Sequence, residues 1–167
     1  WMHDYPWAEQ NLMAIMRELT VLRPYMEGGN IFTPDDPELM KYPVAYLSEP
    51  GYWSMSADQA TGLRNYLLKG GMLIIDDFQQ PPDAWYTLED QMRRVLPDAR
   101  WLPIPPTHAV FDTFFGVVNP EQVLQVPIQF YGLFEDNDPE KRLMVIANLN
   151  ADLGENWQHS ASGWFPI

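Results

Sequence analysis

The chain contains no cysteine. A thiol nucleophile, a thiolate metal site and a disulfide are all excluded, while the compartment stays open, because extracytoplasmic proteins also lack cysteine often enough. Long apolar runs are missing too. No stretch reaches the roughly 20 apolar residues of a membrane span, so this segment is not expected to insert into a bilayer. No secretory leader is visible. Positive charge is scarce: Lys+Arg number 10 against 23 Asp+Glu, a formal net charge of −13. With no basic run to offset it, such a surface repels nucleic acid and anionic lipid, and neither is an expected partner. The familiar signatures are also absent. There is no GxSxG elbow, no GxxxxGK[ST] phosphate loop and no HxH or HExxH metal spacing, so no cofactor and no metal are expected.

What the chain does have is apolar material for a core. It is 46% hydrophobic and 14% aromatic over 167 residues. That is too apolar for disorder and fits one α/β domain over residues 1–167. The start at Trp1 without an initiator Met, and the apolar close at Trp164-Phe165-Pro166-Ile167, predict a piece trimmed from a longer protein.

Helical and strand patterns alternate. Pro6 suits a first helical turn, and Leu12, Ile15, Met16 and Leu19 then share one face. Asp35-Asp36-Pro37-Glu38 reads as a turn and short helix start leading into Leu39 and Met40, and Val44 to Leu47 as a short strand. Ser56 and Gln59 form a capping-box pattern. Ala60, Leu63 and Leu67 give the buried face of the helix that follows, and Gly70-Gly71 closes it. Met72 to Ile75 is an unbroken apolar run, expected to be a central strand buried on both faces and ending in Asp76-Asp77. Strand, helix and strand in that order imply a right-handed crossover and a parallel pair. A further helix is expected over Ala84 to Leu96, with Leu88, Met92 and Val95 inward and Pro97 as its stop. Trp101 to Ile104 reads as another strand, and His108 to Phe115 as a short aromatic segment. Gln129 to Phe134 and Leu143 to Ala147 are strand-like around the polar turn Glu135-Asp136-Asn137-Asp138-Pro139, which suggests a hairpin. Together these predict a three-layer, flavodoxin-like open sheet, mostly parallel, with helices on both faces.

In open α/β sheets, ligands bind beyond the carboxyl ends of the strands, where Asp76 and Asp77 fall. Successive strand residues point to opposite faces, so at most one of the two should face a crevice, as a general base or a metal ligand. The alternative for each is a cap or turn residue. His108, in Pro105-Pro106-Thr107-His108, is either a general acid/base or a ligand, or else a loop histidine that caps the next turn. Asn148, Asn150 and Asp152 belong to a polar loop that resembles a calcium loop only superficially. It lacks the turn glycine and distal glutamate of an EF-hand. That loop would bring Asp152 to the same crevice, and Trp157 could line it. Seven tryptophans are a compositional excess, and Trp53 or Trp85 could stack on a sugar ring, although core packing is the commoner use.

Pro43-Val44-Ala45-Tyr46-Leu47, Leu63-Arg64-Asn65-Tyr66-Leu67 and Gly70-Gly71-Met72-Leu73-Ile74-Ile75-Asp76-Asp77 together resemble the bacterial domain-of-unknown-function family numbered forty-one fifty-nine. Pro97 to Trp101, Thr107-His108 and Asn150-Ala151-Asp152-Leu153-Gly154 extend the resemblance over most of the chain. It implies kinship with class I glutamine amidotransferase-like and ThuA-like flavodoxin-type folds. It also implies an exported or membrane-associated parent, hence a periplasmic or other extracytoplasmic location. It does not carry over the amidotransferase mechanism. The turn that would hold the nucleophilic cysteine reads Ile75-Asp76-Asp77-Phe78, and the histidine expected after the ThuA-like strand is not matched either. Family members also have a strand before the Pro6 region and a helix and strand after Pro166, so the sheet is expected to be incomplete.

The expected function is therefore binding of a small molecule or protein partner in a polar crevice lined by Asp76, Asp77, His108, Asn148, Asn150, Asp152 and Trp157. The alternative is a hydrolase acting on a carbohydrate or amide. In that reading Asp76 or Asp77 is the base, His108 the acid or a ligand and Asp152 an orienting group; a third reading is a purely structural module in which these groups cap loops.

Overall fold

A computed structural model of the chain describes residues 4–26, 29–78, 82–112, 129–150 and 152–162. The chain divides into two compact units, one made of residues 1–32 and 152–167 and the other of residues 33–151.

In the smaller unit, helix α1 (Trp7–Leu19) follows Pro6, which stands at its N-cap. Only Ala8 of α1 is fully buried; Leu12, Ile15 and Met16 are half-buried and Leu19 is exposed. A second helix, Leu153–His159, packs on α1 and is labelled α4 in chain order below. The Asn11 side-chain amide joins the two, donating to the carbonyls of Trp157 at 2.9 Å and Gln158 at 3.0 Å.

The larger unit carries a five-stranded sheet. Its strands are β1 (Val44–Ser48), β2 (Met72–Asp76), β3 (Leu102–Pro103), β4 (Gln129–Phe134) and β5 (Leu143–Leu149), in the order β1-β2-β5-β4-β3. The sheet is mixed. β1 pairs with β2 and β2 with β5 in parallel, whereas β5–β4 and β4–β3 are antiparallel. A mostly parallel sheet was the expectation, and it holds for the β1-β2-β5 half. The departure has a local cause in the hairpin itself. Asp136 (φ 55°) and Asn137 (φ 57°) adopt the left-handed conformation that reverses a chain tightly, and β4 and β5 must then run antiparallel.

Helix α2 (Ala57–Leu68) forms where the capping box predicts. Ser56 Oγ accepts from the Gln59 N–H at 3.1 Å, and the Gln59 side chain accepts from the Ser56 N–H at 2.9 Å. It ends at Gly70, whose φ of 113° is a conformation that suits glycine. Helix α3 (Ala84–Val95) buries Ala84, Leu88, Met92 and Val95. α2 and α3 pack together, and Trp85 of α3 meets Tyr131 of β4 with tilted rings 5.0 Å apart, so the helical layer covers the sheet face of Leu73, Ile75, Val145 and Ala147. Leu73 and Ile75 are buried as expected.

Met72 and Ile74 are a correction: they are half-buried, not nearly fully so. They point to the opposite face, where they join Ile104, Phe134 and Ile146 beneath Val110 and Phe111. Within this unit, that packing comes from the strap leading into a 3-10 turn (Ala109–Phe111), which covers less than a helix does. Residues 113–128 lie outside the described residues, and with them the end of the expected His108 to Phe115 segment.

Candidate polar site at the strand ends

Because β1, β2 and β5 run parallel, their carboxyl ends share one edge. Tyr46 lies beside Ile74, Ser48 beside Asp76, and Ile146 on the other side of Ile74. Side chains alternate along a strand, so Tyr46, Ser48, Asp76 and Asn148 emerge on one face. Further back, that face is the apolar patch of Met72, Ile74 and Ile146. Three neighbouring strands thus change from apolar to polar at the same level. Phe130, opposite Asn148, bounds the polar zone on the β4 side.

Asp76 and Asn148 are buried. The Tyr46 phenol donates to Asp76 Oδ2 at 2.8 Å, which fixes the carboxylate and leaves it an acceptor. Ser48 Oγ is buried and makes no hydrogen bond among the described residues. A buried hydroxyl left this way costs free energy that a ligand group could recover.

The backbone at this edge is also unusual. Each of the three strands runs out into a left-handed residue that is not glycine: Glu49 (φ 54°) after β1, Asp77 (φ 59°) after β2 and Asn150 (φ 64°) after β5. The Glu49 N–H donates to the Asp76 carbonyl at 3.2 Å, tying the first two turns together. Left-handed geometry costs of order 1–3 kcal/mol at a non-glycine residue and gathers at functional sites. Asn and Asp tolerate it better than Glu, so Glu49 carries the largest strain of the row.

The family model for Domain of unknown function (DUF4159) matches residues 1–166. The chain belongs to this family. No curated protein matches it.

Within the larger unit of this DUF4159 chain, the residues singled out from sequence do not converge on one point. Asp76 heads the polar face, and Asp77 forms the buried turn behind it. Asn148 shares the face with Asp76, and Asn150 supplies the third left-handed turn. His108 lies elsewhere. β3 does end at the same edge, since two antiparallel steps restore the direction of β5, but the chain after it folds back across the sheet. The His108 ring meets Phe134 edge-on, with centroids 5.7 Å apart. Phe134 lies four residues along β4 from Phe130, about 13 Å further down the sheet at strand rise. His108 Nδ1 accepts from the Val110 N–H at 3.1 Å and caps the 3-10 turn. The structure therefore gives His108 the turn-capping geometry, and among the described residues no carboxylate is bonded to its imidazole.

Asp152 and Trp157 belong to the smaller unit. Asp152 Oδ1 accepts from the Glu155 N–H at 2.8 Å as the N-cap of α4. The Trp157 carbonyl accepts from Asn11 and from Ser160 Oγ. Trp85, weighed as a sugar platform, sits in an aromatic cluster with Phe78 (6.1 Å), Trp101 (5.3 Å) and Tyr131, and Trp53 is half-buried. Among the described residues, no group of three or more His, Asp or Glu side chains could hold a metal ion, and no helix is long and apolar enough to cross a membrane.

Tyr46 and Ser48 were missed by sequence reasoning. Their alternation along β1 was visible, but the register of β1 on β2 was not, and only the register puts them beside Asp76.

Proposed function

We propose that this DUF4159 chain binds a small polar ligand at the carboxyl edge of β1, β2 and β5. Tyr46, Ser48, Asp76 and Asn148 would make the contacts, while Asp77 and Asn150 would frame them. The observation that carries this reading is the Tyr46–Asp76 hydrogen bond within a polar face shared by three adjacent strands. A pre-oriented carboxylate with a free hydroxyl beside it favours a ligand rich in hydrogen-bond donors, such as a polyol, an amide or an amine. The hydrolase reading needs a proton-transfer partner at Asp76, and no described contact favours it over binding. The wider reading, an extracytoplasmic module kin to the amidotransferase-like folds, is supported by the motif resemblance alone. One family model spanning both compact units supports treating them as a single functional module.

The test is a panel of polyols, amides and amines followed by amide NMR. Saturable shifts centred on residues 46–49, 76–78 and 148–150 are expected. Asp76→Asn and Tyr46→Phe should each weaken binding by about tenfold, the effect of losing a hydrogen bond to a charged group. A ligand held equally well by both variants, or a panel that moves none of these signals, would overturn the proposal.

A further inference from the structure

The strap over residues 105–112 is bonded mainly to itself. The His108 N–H donates to the Pro105 carbonyl at 2.9 Å, the Phe111 N–H to the His108 carbonyl at 3.0 Å and the Asp112 N–H to the Ala109 carbonyl at 3.1 Å. Among the described residues, the last backbone tie to the sheet comes just before it, where the Ile104 N–H donates to the Phe130 carbonyl at 2.8 Å. Beyond that point the strap rests on side chains. Val110 and Phe111 pack on the cluster of Ile104, Phe134 and Ile146, and the Phe111 and Phe130 rings lie 4.7 Å apart. Phe130 stands opposite Asn148 and bounds the polar zone, so the strap reaches the border of the strand-end site.

The 3-10 turn sets Val110 and Phe111 in place, and His108 caps that turn. Its Nδ1 accepts from the Val110 N–H at 3.1 Å. An imidazole nitrogen accepts only through its lone pair, so the neutral ring must carry its proton on Nε2. Protonation turns Nδ1 into a donor aimed at a donor, and the cap is lost. Histidine is the side chain suited to change charge between about pH 5 and 8.

The sheet side chains packed in this cluster are all apolar. The charged and titratable groups around it are Asp112 on the strap, Glu135 and Arg142 at the β4–β5 turn, which pair with each other at 3.6 Å, and Asp76 with Tyr46 at the other end of the face. Among the described residues none of them is bonded to the imidazole, so none holds the charged ring where the neutral ring now sits.

We propose that this strap is a pH-sensitive cover, closed while His108 is neutral and released when its imidazole is protonated, and that release frees Phe130 at the border of the polar zone. The proposal stands on the strap's own geometry and does not depend on the ligand reading of the strand-end face. Nitrogen NMR of the His108 ring, amide protection at Val110 corrected for the intrinsic exchange rate, and the Phe111–Phe130 ring contact, each followed between about pH 7.5 and about pH 5.5, test it. The neutral ring should carry its proton on Nε2. Protection at Val110 should fall about twofold to tenfold on protonation, the net effect of one hydrogen bond, and the ring contact should weaken with it. Signals of α2 and α3 should stay unchanged. His108→Asn places an oxygen that cannot be charged where Nδ1 lies, and His108→Ala removes the acceptor; each should abolish the pH response in a protein whose α2 and α3 signals match the parent's. A neutral ring protonated on Nδ1, a strap indifferent to pH, a response that persists in His108→Asn, or the same response in α2 and α3 would each overturn it.

Discussion

Gly62 sits inside α2, where helix propensity alone predicts that Gly62→Ala should stabilise the protein by about 1 kcal/mol. The structure predicts the opposite sign. A Cβ at Gly62 would lie 2.3 Å from the Pro34 carbonyl oxygen, 2.7 Å from Asp35 Cα and 2.9 Å from the Pro34 carbonyl carbon. All three are backbone atoms, so no side chain can rotate away. Either α2 or the turn at 34–36 must move. That turn leads directly into Asp36, which caps the 3-10 turn Pro37–Lys41 through the Glu38 N–H, and into buried Leu39. Overpacking of this kind costs about 1–3 kcal/mol, and the contact lies at the severe end. After the propensity gain is subtracted, the variant should lose about 1–2 kcal/mol. Urea denaturation followed by far-UV circular dichroism would read this as a lower midpoint with an unchanged slope. Gly70→Ala is the comparison. No atom lies within 4 Å of its added Cβ, but its φ of 113° is unfavourable for alanine, so it should lose about 1 kcal/mol through the backbone alone. A Gly62→Ala protein as stable as the parent, or more so, would refute the close approach of the 34–36 turn to α2.

Ser56→Ala removes one arm of the capping box and should cost about 0.5–2 kcal/mol, read by thermal or denaturant midpoint. Ile75→Ala, at a fully buried position, should cost about 2–5 kcal/mol, and Ile74→Ala clearly less because its face is only half covered; the order of the two midpoints tests the two-face description. Burial raises the Tyr66 pKa above its ordinary value of 10.0. The neutral phenol is favoured by the fold, so this contribution is complete below about pH 10 and is lost as pH rises through the folded-state pKa. Tyr66→Phe should therefore show a shallower loss of stability in alkaline denaturation than the parent chain.

Local signals were the legible ones. The Ser56/Gln59 pair, the Gly70 stop and the apolar run from Met72 to Ile75 each act within a few residues, and the structure follows them closely. The hairpin turn at Asp136-Asn137 was readable for the same reason. Relations between distant segments were not. His108 was expected to return over the strand ends, yet burial of Val110 and Phe111 on the sheet draws that strap down the face toward Phe134. The difference lies in where apolar side chains find cover, which no local pattern records. Likewise Asp152, read as part of a loop reaching the crevice, has its carboxylate committed to the first turn of α4.

β3 consists of Leu102 and Pro103 alone and forms one edge of the sheet. Pro103 has no N–H, the Ile104 N–H is bonded to the Phe130 carbonyl, and Pro105 and Pro106 have none to offer. Among the described residues, that edge offers few donors to another strand, so strand addition is disfavoured there relative to the edge at β1. Copies joined through their sheets would then favour a β1-to-β1 meeting, a self-complementary contact that uses both β1 edges at once. The short proline-rich strand thus biases strand-mediated association of this unit toward a closed pair and away from continuous growth.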